Sequence, residues 1–299
     1  MSGVHAWTLL AALLSSLTVA GVFAQGQQPT FRSRVSLVRL DVLVVDEGRP
    51  ISGLTAADFE VLDNGVPQTI AAVDAGVSPL DVVFVLDRSD SVRGETLNRL
   101  KEAVHATLRA LRETDRAALL TFSQWVRLDA PFQAERAELA RAVDEVTASG
   151  GTLAIDAVHG ALAVAEGTGR RTLVLLFSDG LDNLSWLTPD AVVAEARGSE
   201  AVICGVAFVP PSDLRARRGV SAHVELLNRL SGATGGEVVE IRQQRDLAPT
   251  FVRLLNTMRA RYLFTYTPAG AETPGWHELK VRLKRGSGNV VARPGYFVR

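Results

Sequence analysis

The chain has 299 residues, a formal net charge of −1, 47% hydrophobic residues and 22% charged residues. This composition is typical of a globular protein with one large domain or two smaller ones. A charge so close to zero gives no electrostatic reason to expect nucleic acid or an anionic membrane as a partner.

An apolar, uncharged segment runs from Trp7 to Ala24 near the start of the chain. It ends in VFA, with small residues at the two positions that a signal peptidase reads, so residues 1–24 are predicted to be a signal peptide. The segment is also long enough to serve as an uncleaved membrane anchor. We therefore expect an exported protein, periplasmic or extracellular, with no membrane insertion once the signal is removed.

Short alternating apolar runs follow between residues 35 and 73, separated by turn signals such as the sequence DNG. This pattern is typical of antiparallel strands. Strand patterns return beyond residue 259, in RYLFTYTP, HELKVRLKR and NVVARPGYFVR. Neither segment alone has enough residues for a comfortable core, so residues 30–78 and 260–299 are predicted to pair in one smaller, sandwich-like β domain.

Strand and helix patterns alternate in the middle of the chain. The apolar runs DVVFVL, AALLTF, TLVLLF and AVICGVAF are typical of buried strands, and Leu97, Leu100 and Val104 recur at helical spacing. This alternation predicts an α/β fold over residues 79–259, a doubly wound, mostly parallel sheet with helices on both faces. The single cysteine, Cys204, lies in the last apolar run and is expected to be a small buried side chain.

Polar side chains cluster where these strands are expected to end. Asp87 closes the first run and is followed by Ser89 and Ser91, Asp179 follows the run TLVLLF, and Thr152 comes from the turn SGGT. Sheets of this kind bind ligands at the carboxyl ends of their strands, where the strand order reverses. If the two strands that end in aspartates flank that crevice, the five side chains converge.

Five oxygen donors, two of them charged and three hydroxylic, suit a hard divalent cation whose shell is completed by water. Two carboxylates only balance the charge of such an ion, which therefore stays open to another anionic oxygen. The alternative is that the serines cap the following helix and the aspartates are ordinary loop residues. The three motif pieces stand in order at suitable strand ends, which favours the metal site.

The same pieces resemble the metal-ion-dependent adhesion site of von Willebrand factor type A domains, and the resemblance covers roughly residues 79–259. It implies that Mg²⁺ or Mn²⁺ is held, directly or through water, by Asp87, Ser89, Ser91, Thr152 and Asp179. It also implies a non-catalytic adhesion module, in which an Asp or Glu of a partner protein completes the metal shell. The flanking β segments look like those of an exported bacterial subgroup of these proteins.

Three neighbouring acids are left out of the predicted site. Asp90 stands where the family usually has Gly and adds negative charge beside the site. Asp156 lies four residues beyond Thr152, and Asp182 lies in the sequence SDGLDN. These two could orient a ligand or a bound water, or could be ordinary surface or capping residues.

Two alternatives to the adhesion module remain. A phosphatase of the haloacid dehalogenase type would also have a strand ending in Asp and a late DGxxD, but its acid–base aspartate is replaced here by Ser89. Its expected lysine is missing too, because no lysine occurs between Lys101 and Lys280. The other alternative is a type A domain whose metal ion is purely structural.

Overall fold

The fold is described from a computed structural model that covers residues 37–180, 182–209, 217–271 and 273–298. The strands within these ranges are β1 (Val38–Asp46), β2 (Arg49–Pro50), β3 (Phe59–Asp63), β4 (Val66–Gln68), β5 (Ala72–Ala75), β6 (Leu80–Asp87), β7 (Arg116–Phe122), β8 (Val126–Ala130), β9 (Arg171–Ser178), β10 (Val202–Phe208), β11 (Val238–Ile241), β12 (Tyr262–Tyr266), β13 (Gly275–Leu283), β14 (Asn289–Val291) and β15 (Gly295–Val298). The helices are α1 (Glu95–Ala110), α2 (Arg136–Glu145), α3 (Ala154–Ala165), α4 (Pro189–Gly198), α5 (Arg217–Thr234) and α6 (Leu247–Arg259).

A six-stranded sheet forms the centre of the α/β region, which we define as β6 to β11 with α1 to α6. Its strand order is β11-β10-β9-β6-β7-β8, and only the edge strand β8 runs antiparallel to its neighbour. Every residue of β6 is buried. Its alternate side chains enter two separate cores, one shared with α1, α2 and α6 and the other with α3, α4 and α5. The predicted doubly wound α/β fold is confirmed.

The strand order places the ends of β6 and β9 side by side. These strands are parallel neighbours, with Leu86 opposite Phe177 in the register. From β6 the chain continues to β7 on one side, and from β9 it continues to β10 on the other. The order therefore reverses between β6 and β9, which opens a crevice at their carboxyl ends.

The remaining strands, β1 to β5 and β12 to β15, form two antiparallel sheets that we call the β region. One sheet has the order β14-β1-β12-β5, with β2 paired to β1, and the other has the order β15-β13-β3-β4. N-terminal strands pair directly with C-terminal ones, as in Val38 opposite Tyr266 and Val61 opposite Val281. Both sheets contribute to one apolar core. The smaller antiparallel part of the predicted fold class is therefore also confirmed, while the exact domain bounds stay a prediction.

Residues 1–36, which include the predicted signal peptide, lie outside the described residues. In the part of the chain that the structure covers, no helix is both long and apolar enough to cross a membrane.

Candidate metal centre

Asp87, the last residue of β6, is fully buried at the crevice. Its Oδ1 accepts a hydrogen bond from the backbone N–H of Ser89 at 2.8 Å, and its Oδ2 accepts one from the hydroxyl of Ser178 at 2.9 Å. The hydroxyls of Ser89 and Ser91 lie 2.8 Å apart, and the Ser91 hydroxyl donates to Oδ1 of Asp179 at 2.7 Å. Four of the five predicted residues are thus linked by hydrogen bonds within one cluster.

Thr152 joins this cluster through the loop that carries it. The backbone N–H of Asp90 donates to the carbonyl of Gly150 at 2.9 Å, which holds the turn before Thr152 against the loop after β6. The Thr152 carbonyl accepts from the backbone N–H of Asn183 at 3.1 Å, and its own N–H donates to the Asn183 side chain at 3.0 Å. The described hydrogen bonds of Thr152 therefore run through its backbone, and its buried hydroxyl is not what ties it to the other four residues.

Two glycines let these loops approach one another. Gly150 has a φ of +79°, and a Cβ there would lie 2.7 Å from Oε1 of Gln124. A Cβ on Gly151 would lie 2.7 Å from Cδ1 of Leu184. The left-handed backbone at Gly150 favours glycine there, whereas a larger residue at Gly151 would require the Leu184 side chain to move.

The electrostatics of the cluster disfavour two free carboxylates. Burial, helped by the nearby charge of Asp179, raises the pKa of Asp87 to about 6 against the lowering effect of hydrogen bonds from Ser89 and Ser178. Burial also raises the pKa of Asp179, although the hydrogen bond from Ser91 opposes the shift. Both carboxyl groups would be stabilised as anions by a nearby positive charge.

Other buried aspartates lie beside basic side chains of the protein itself. Asp63 lies 2.7 Å from Nδ1 of His277, Asp81 is 2.6 Å from Arg116, and Asp115 is 2.6 Å from Arg259. Among the described residues, Asp87 is the one fully buried aspartate for which no salt bridge is found. A buried carboxylate without a cation is costly, so the crevice fits an added cation.

The donor set also fits a hard ion. Within the described residues, no group of three or more His, Cys, Asp or Glu side chains could hold a metal. The crevice instead offers two carboxylates and neutral hydroxyls, a mixture that suits Mg²⁺ or Mn²⁺ better than a softer ion that prefers nitrogen or sulfur.

Two of the three acids left out of the predicted site, Asp156 and Asp182, organise a loop. Asp182 accepts hydrogen bonds from the backbone N–H and hydroxyl of Ser185, at 3.0 and 2.6 Å, and from the N–H of Ile155 at 2.9 Å. Asp156 accepts from the backbone N–H of Trp186 at 3.1 Å and from that of the next residue at 3.0 Å. Asp182 caps the start of α3 through Ile155, and both acids hold residues 182–187 against that end of the helix.

The negative charge of Asp90 is partly offset by a neighbouring arginine. Its side chain is exposed and forms an ion pair with Arg93. The hydrogen bond from Arg93 holds the pKa of Asp90 below its usual range. The negative charge beside the site is therefore already partly balanced.

Two contributors were missed from the sequence, Ser178 and Asn183. Ser178 supplies a hydroxyl to Asp87, and Asn183 holds the backbone of Thr152. Ser178 directly precedes Asp179 at the end of a buried strand, and a second polar residue in that place is a signal that could have been noticed. The role of Asn183 depends on the meeting of two distant loops and left no such signal.

With this geometry in view, comparison with known families is decisive. Residues 81–250, more than half of the chain, match the von Willebrand factor type A domain. The chain belongs to this family. Both aspartates, both serines and Thr152 of the candidate site fall inside the type A match.

Relatives and solved structures extend the likeness beyond the type A match. Inter-alpha-trypsin inhibitor heavy chain H4 of Bos taurus is 25% identical over 278 residues, 86% of this chain and 28% of that protein. The human protein of the same name is 24% identical over 287 residues, 89% of this chain and 29% of that protein. This chain therefore spans less than a third of the length of the curated relatives it matches.

Among solved structures, a von Willebrand factor type A protein from Catenulispora acidiphila is similar over 80% of this chain and 72% of its own, with a TM-score of 0.52 and 16% identity. Proximal thread matrix protein 1 from the mussel byssus, solved with a zinc-occupied MIDAS motif, is similar over 66% of this chain and 49% of its own, with a TM-score of 0.51 and 16% identity. At this identity both structures support the fold alone.

Proposed function

We propose that this chain is an exported protein-interaction module whose crevice binds a divalent cation and, through it, an acidic residue of a partner protein. The observation that carries the proposal is Asp87. It is fully buried, its pKa is raised to about 6, and its charged neighbour is another carboxylate, Asp179. A divalent cation would supply the positive charge that these two groups lack.

The proposed ligands are the five residues predicted from the sequence, Asp87, Ser89, Ser91, Thr152 and Asp179. Oxygen donors of this kind favour Mg²⁺ or Mn²⁺. Zinc in the MIDAS motif of the mussel protein supports a divalent ion at such a site in this fold. Family membership supports the placement of the site, since these residues lie within the matched range.

The charge count points to the partner. Two carboxylates balance a divalent ion and neutral hydroxyls fill further positions, so the ion keeps its attraction for one more anionic oxygen. An Asp or Glu side chain of another protein is the natural donor. The pairing of Asp90 with Arg93 supports this choice, because it reduces the repulsion that an incoming carboxylate would meet.

We propose a non-catalytic role. The phosphatase alternative needs an acid–base aspartate at the position of Ser89, whose hydroxyl instead contacts Ser91. A type A domain with a purely structural metal is the second candidate. The chelation experiment below separates it from the adhesion module, because a structural ion would not be needed at the contact itself.

Export is proposed from residues 1–24, with the mature protein in the periplasm or outside the cell. We also propose the domain bounds 30–78 and 260–299 for the β region and 79–259 for the type A domain. Direct pairing of β1 with β12 supports the first pair of bounds, and the family match over residues 81–250 supports the last.

The direct test is calorimetric titration of the purified chain with MgCl₂ and MnCl₂. We expect one site in the wild type and no measurable binding in Asp87→Ala or Asp179→Ala. Asp190→Ala is the matched control, because Asp190 is a largely exposed acid on α4 and should bind metal as the wild type does. Unchanged metal binding in both site variants would refute the assignment.

Partner binding is tested by pull-down from the native cell envelope with and without EDTA. Binding should need the divalent ion and fail in Asp87→Ala and Thr152→Ala. A partner that is retained in EDTA and by Asp87→Ala would show that the metal does not mediate the contact.

A further inference from the structure

Three large apolar side chains are exposed on the loops beside the crevice. Trp186 is 93% exposed, Trp125 is 68% exposed and Leu184 is 46% exposed. Single exposed apolar residues are common on protein surfaces. Two exposed tryptophans and an exposed leucine on adjoining loops are less common, because a large apolar area then stays in contact with water.

The two loops that carry these side chains both touch the glycine turn that precedes Thr152. Gln124, next to Trp125, abuts Gly150, and Leu184 abuts Gly151. The strand before Trp125 is also the direct neighbour of β6, with Phe122 opposite Asp87 in the register. The exposed side chains therefore lie on the loops that border the candidate metal centre.

The loop with Leu184 and Trp186 is held in place before any partner arrives. The backbone N–H of Leu184 donates to the Thr152 carbonyl at 3.2 Å, and that of Trp186 donates to Asp156 at 3.1 Å. Asp182 binds the same loop from its other end. A loop fixed in this way presents its apolar side chains without a further ordering cost on binding.

We propose that Trp125, Leu184 and Trp186 form an apolar rim that selects the partner, a protein segment in which the metal-binding Asp or Glu is flanked by apolar or aromatic side chains. This inference rests on the proposed function. One carboxylate on a cation supplies little contact area, and buried aromatic anchors commonly supply most of the affinity of such contacts. A carboxylate with apolar flanks complements a cation surrounded by exposed tryptophan and leucine.

The experiment measures capture of an immobilised peptide array by the full chain in MgCl₂. Each peptide has a central Asp or Glu, with flanks either of Leu and Phe or of Ser and Gly. We expect the wild type to prefer apolar flanks by about tenfold or more, and Trp186→Ser to reduce that preference to below about threefold. Val77→Ser is the control, because Val77 is 78% exposed but precedes β6 at the opposite end of the sheet.

Calorimetry with MgCl₂ accompanies the array, and Trp186→Ser should bind the ion as the wild type does. Two results would overturn the rim and leave the metal proposal standing. One is metal-dependent capture that does not depend on the flanking residues. The other is a preference for apolar flanks that survives in Trp186→Ser and in Trp125→Ser. Capture that persists in EDTA would overturn the proposed function itself. The wild type could instead bind mixed phosphatidylcholine and phosphatidylserine vesicles, with this binding lost in Trp186→Ser. That result would show that the rim meets a membrane and would also overturn the inference.

Discussion

The β region completely buries Asp63 and the α/β region completely buries Asp87, but the surroundings of these two carboxyl groups differ. Asp63 lies 2.7 Å from Nδ1 of His277 and accepts from the hydroxyls of Tyr266 and Tyr296 at 3.0 and 2.6 Å. The other ring nitrogen of His277 lies 2.6 Å from a backbone carbonyl. Both ring nitrogens of His277 therefore have hydrogen-bond partners, and Asp63 contacts three side chains of the protein.

Asp87 receives hydrogen bonds from Ser89 and Ser178, and lies close to a second carboxylate. The contrast teaches that burial alone does not mark a functional acid. Asp63 is held by three side chains of its own protein, whereas no cationic side chain pairs with Asp87 among the described residues. Charge balance separates the two roles, and each of the following substitutions tests it.

The largest expected effect is on Asp63→Asn, which removes the buried carboxylate that His277, Tyr266 and Tyr296 contact. We expect the free energy of unfolding to fall by about 3–5 kcal/mol at pH 7, measured by urea denaturation. Glu278→Gln, on the exposed face of β13, is the control and should change it by less than about 0.5 kcal/mol. If Asp63→Asn left the free energy of unfolding nearly unchanged, the contact between Asp63 and His277 would not stabilise the β region.

Asp87→Asn should have the opposite sign in metal-free protein, because it removes an unbalanced buried charge. Raising the pKa of Asp87 from 3.8 to about 6 corresponds to roughly 3 kcal/mol, so we expect a gain of about 1–3 kcal/mol at pH 7 in EDTA. The folded state holds its proton more tightly than the unfolded state. The destabilisation of the wild type by Asp87 therefore grows as the pH rises from 3.8 through 6. Below pH 3.8 the free energies of unfolding of the two proteins should converge.

Adding MgCl₂ should reverse the order, since it stabilises the wild type and leaves Asp87→Asn unchanged. Urea denaturation across this pH range, with and without the ion, measures both effects. A metal-free Asp87→Asn that is less stable than the wild type would contradict the charge imbalance.

Asp115→Asn tests a third buried acid, one that the α/β region balances itself. Burial alone would raise the pKa of Asp115, but hydrogen bonds from Leu80, Arg112 and Arg259 outweigh it and hold the pKa below its usual range. We expect a loss of about 2 kcal/mol at pH 7, with Glu113→Gln as the exposed control. Because the pKa of Asp115 is lowered in the folded state, this stabilisation is present above pH 3.8. It is lost as the pH falls through the pKa that Asp115 has in the folded protein. A difference that persists in strong acid would contradict the assignment to charge.

Asp90→Gly should have the smallest effect. The exposed ion pair with Arg93 already offsets the charge of Asp90, so capture of acidic peptides in MgCl₂ should tighten by no more than about threefold or stay the same. Array titrations at low and at high salt measure this. Clearly weaker capture in Asp90→Gly would show that the aspartate helps to hold the ion or the peptide.

The sequence was most informative where the signal was local. The apolar runs predicted β6, β7, β9 and β10, and the carboxyl ends of two of them predicted where Asp87 and Asp179 lie. The pairing of the terminal segments followed from their small size. The partners of Asp63 could not be predicted, because His277 and Tyr296 lie more than 200 residues away along the chain and no short motif links them.

By itself, the sequence determined the alternation of strands and helices, the order of the motif pieces and the excess of oxygen donors at strand ends. These features depend on hydrophobic periodicity and residue type, which are local properties of the sequence. Only the tertiary structure decided which buried carboxylate is balanced and which is not. That outcome depends on which cationic side chains the fold brings within a few ångströms, as it brings Arg259 to Asp115. It also decided that Trp125 and Trp186 stand exposed beside the same crevice, since exposure depends on what packs against a side chain as well as on its hydrophobicity.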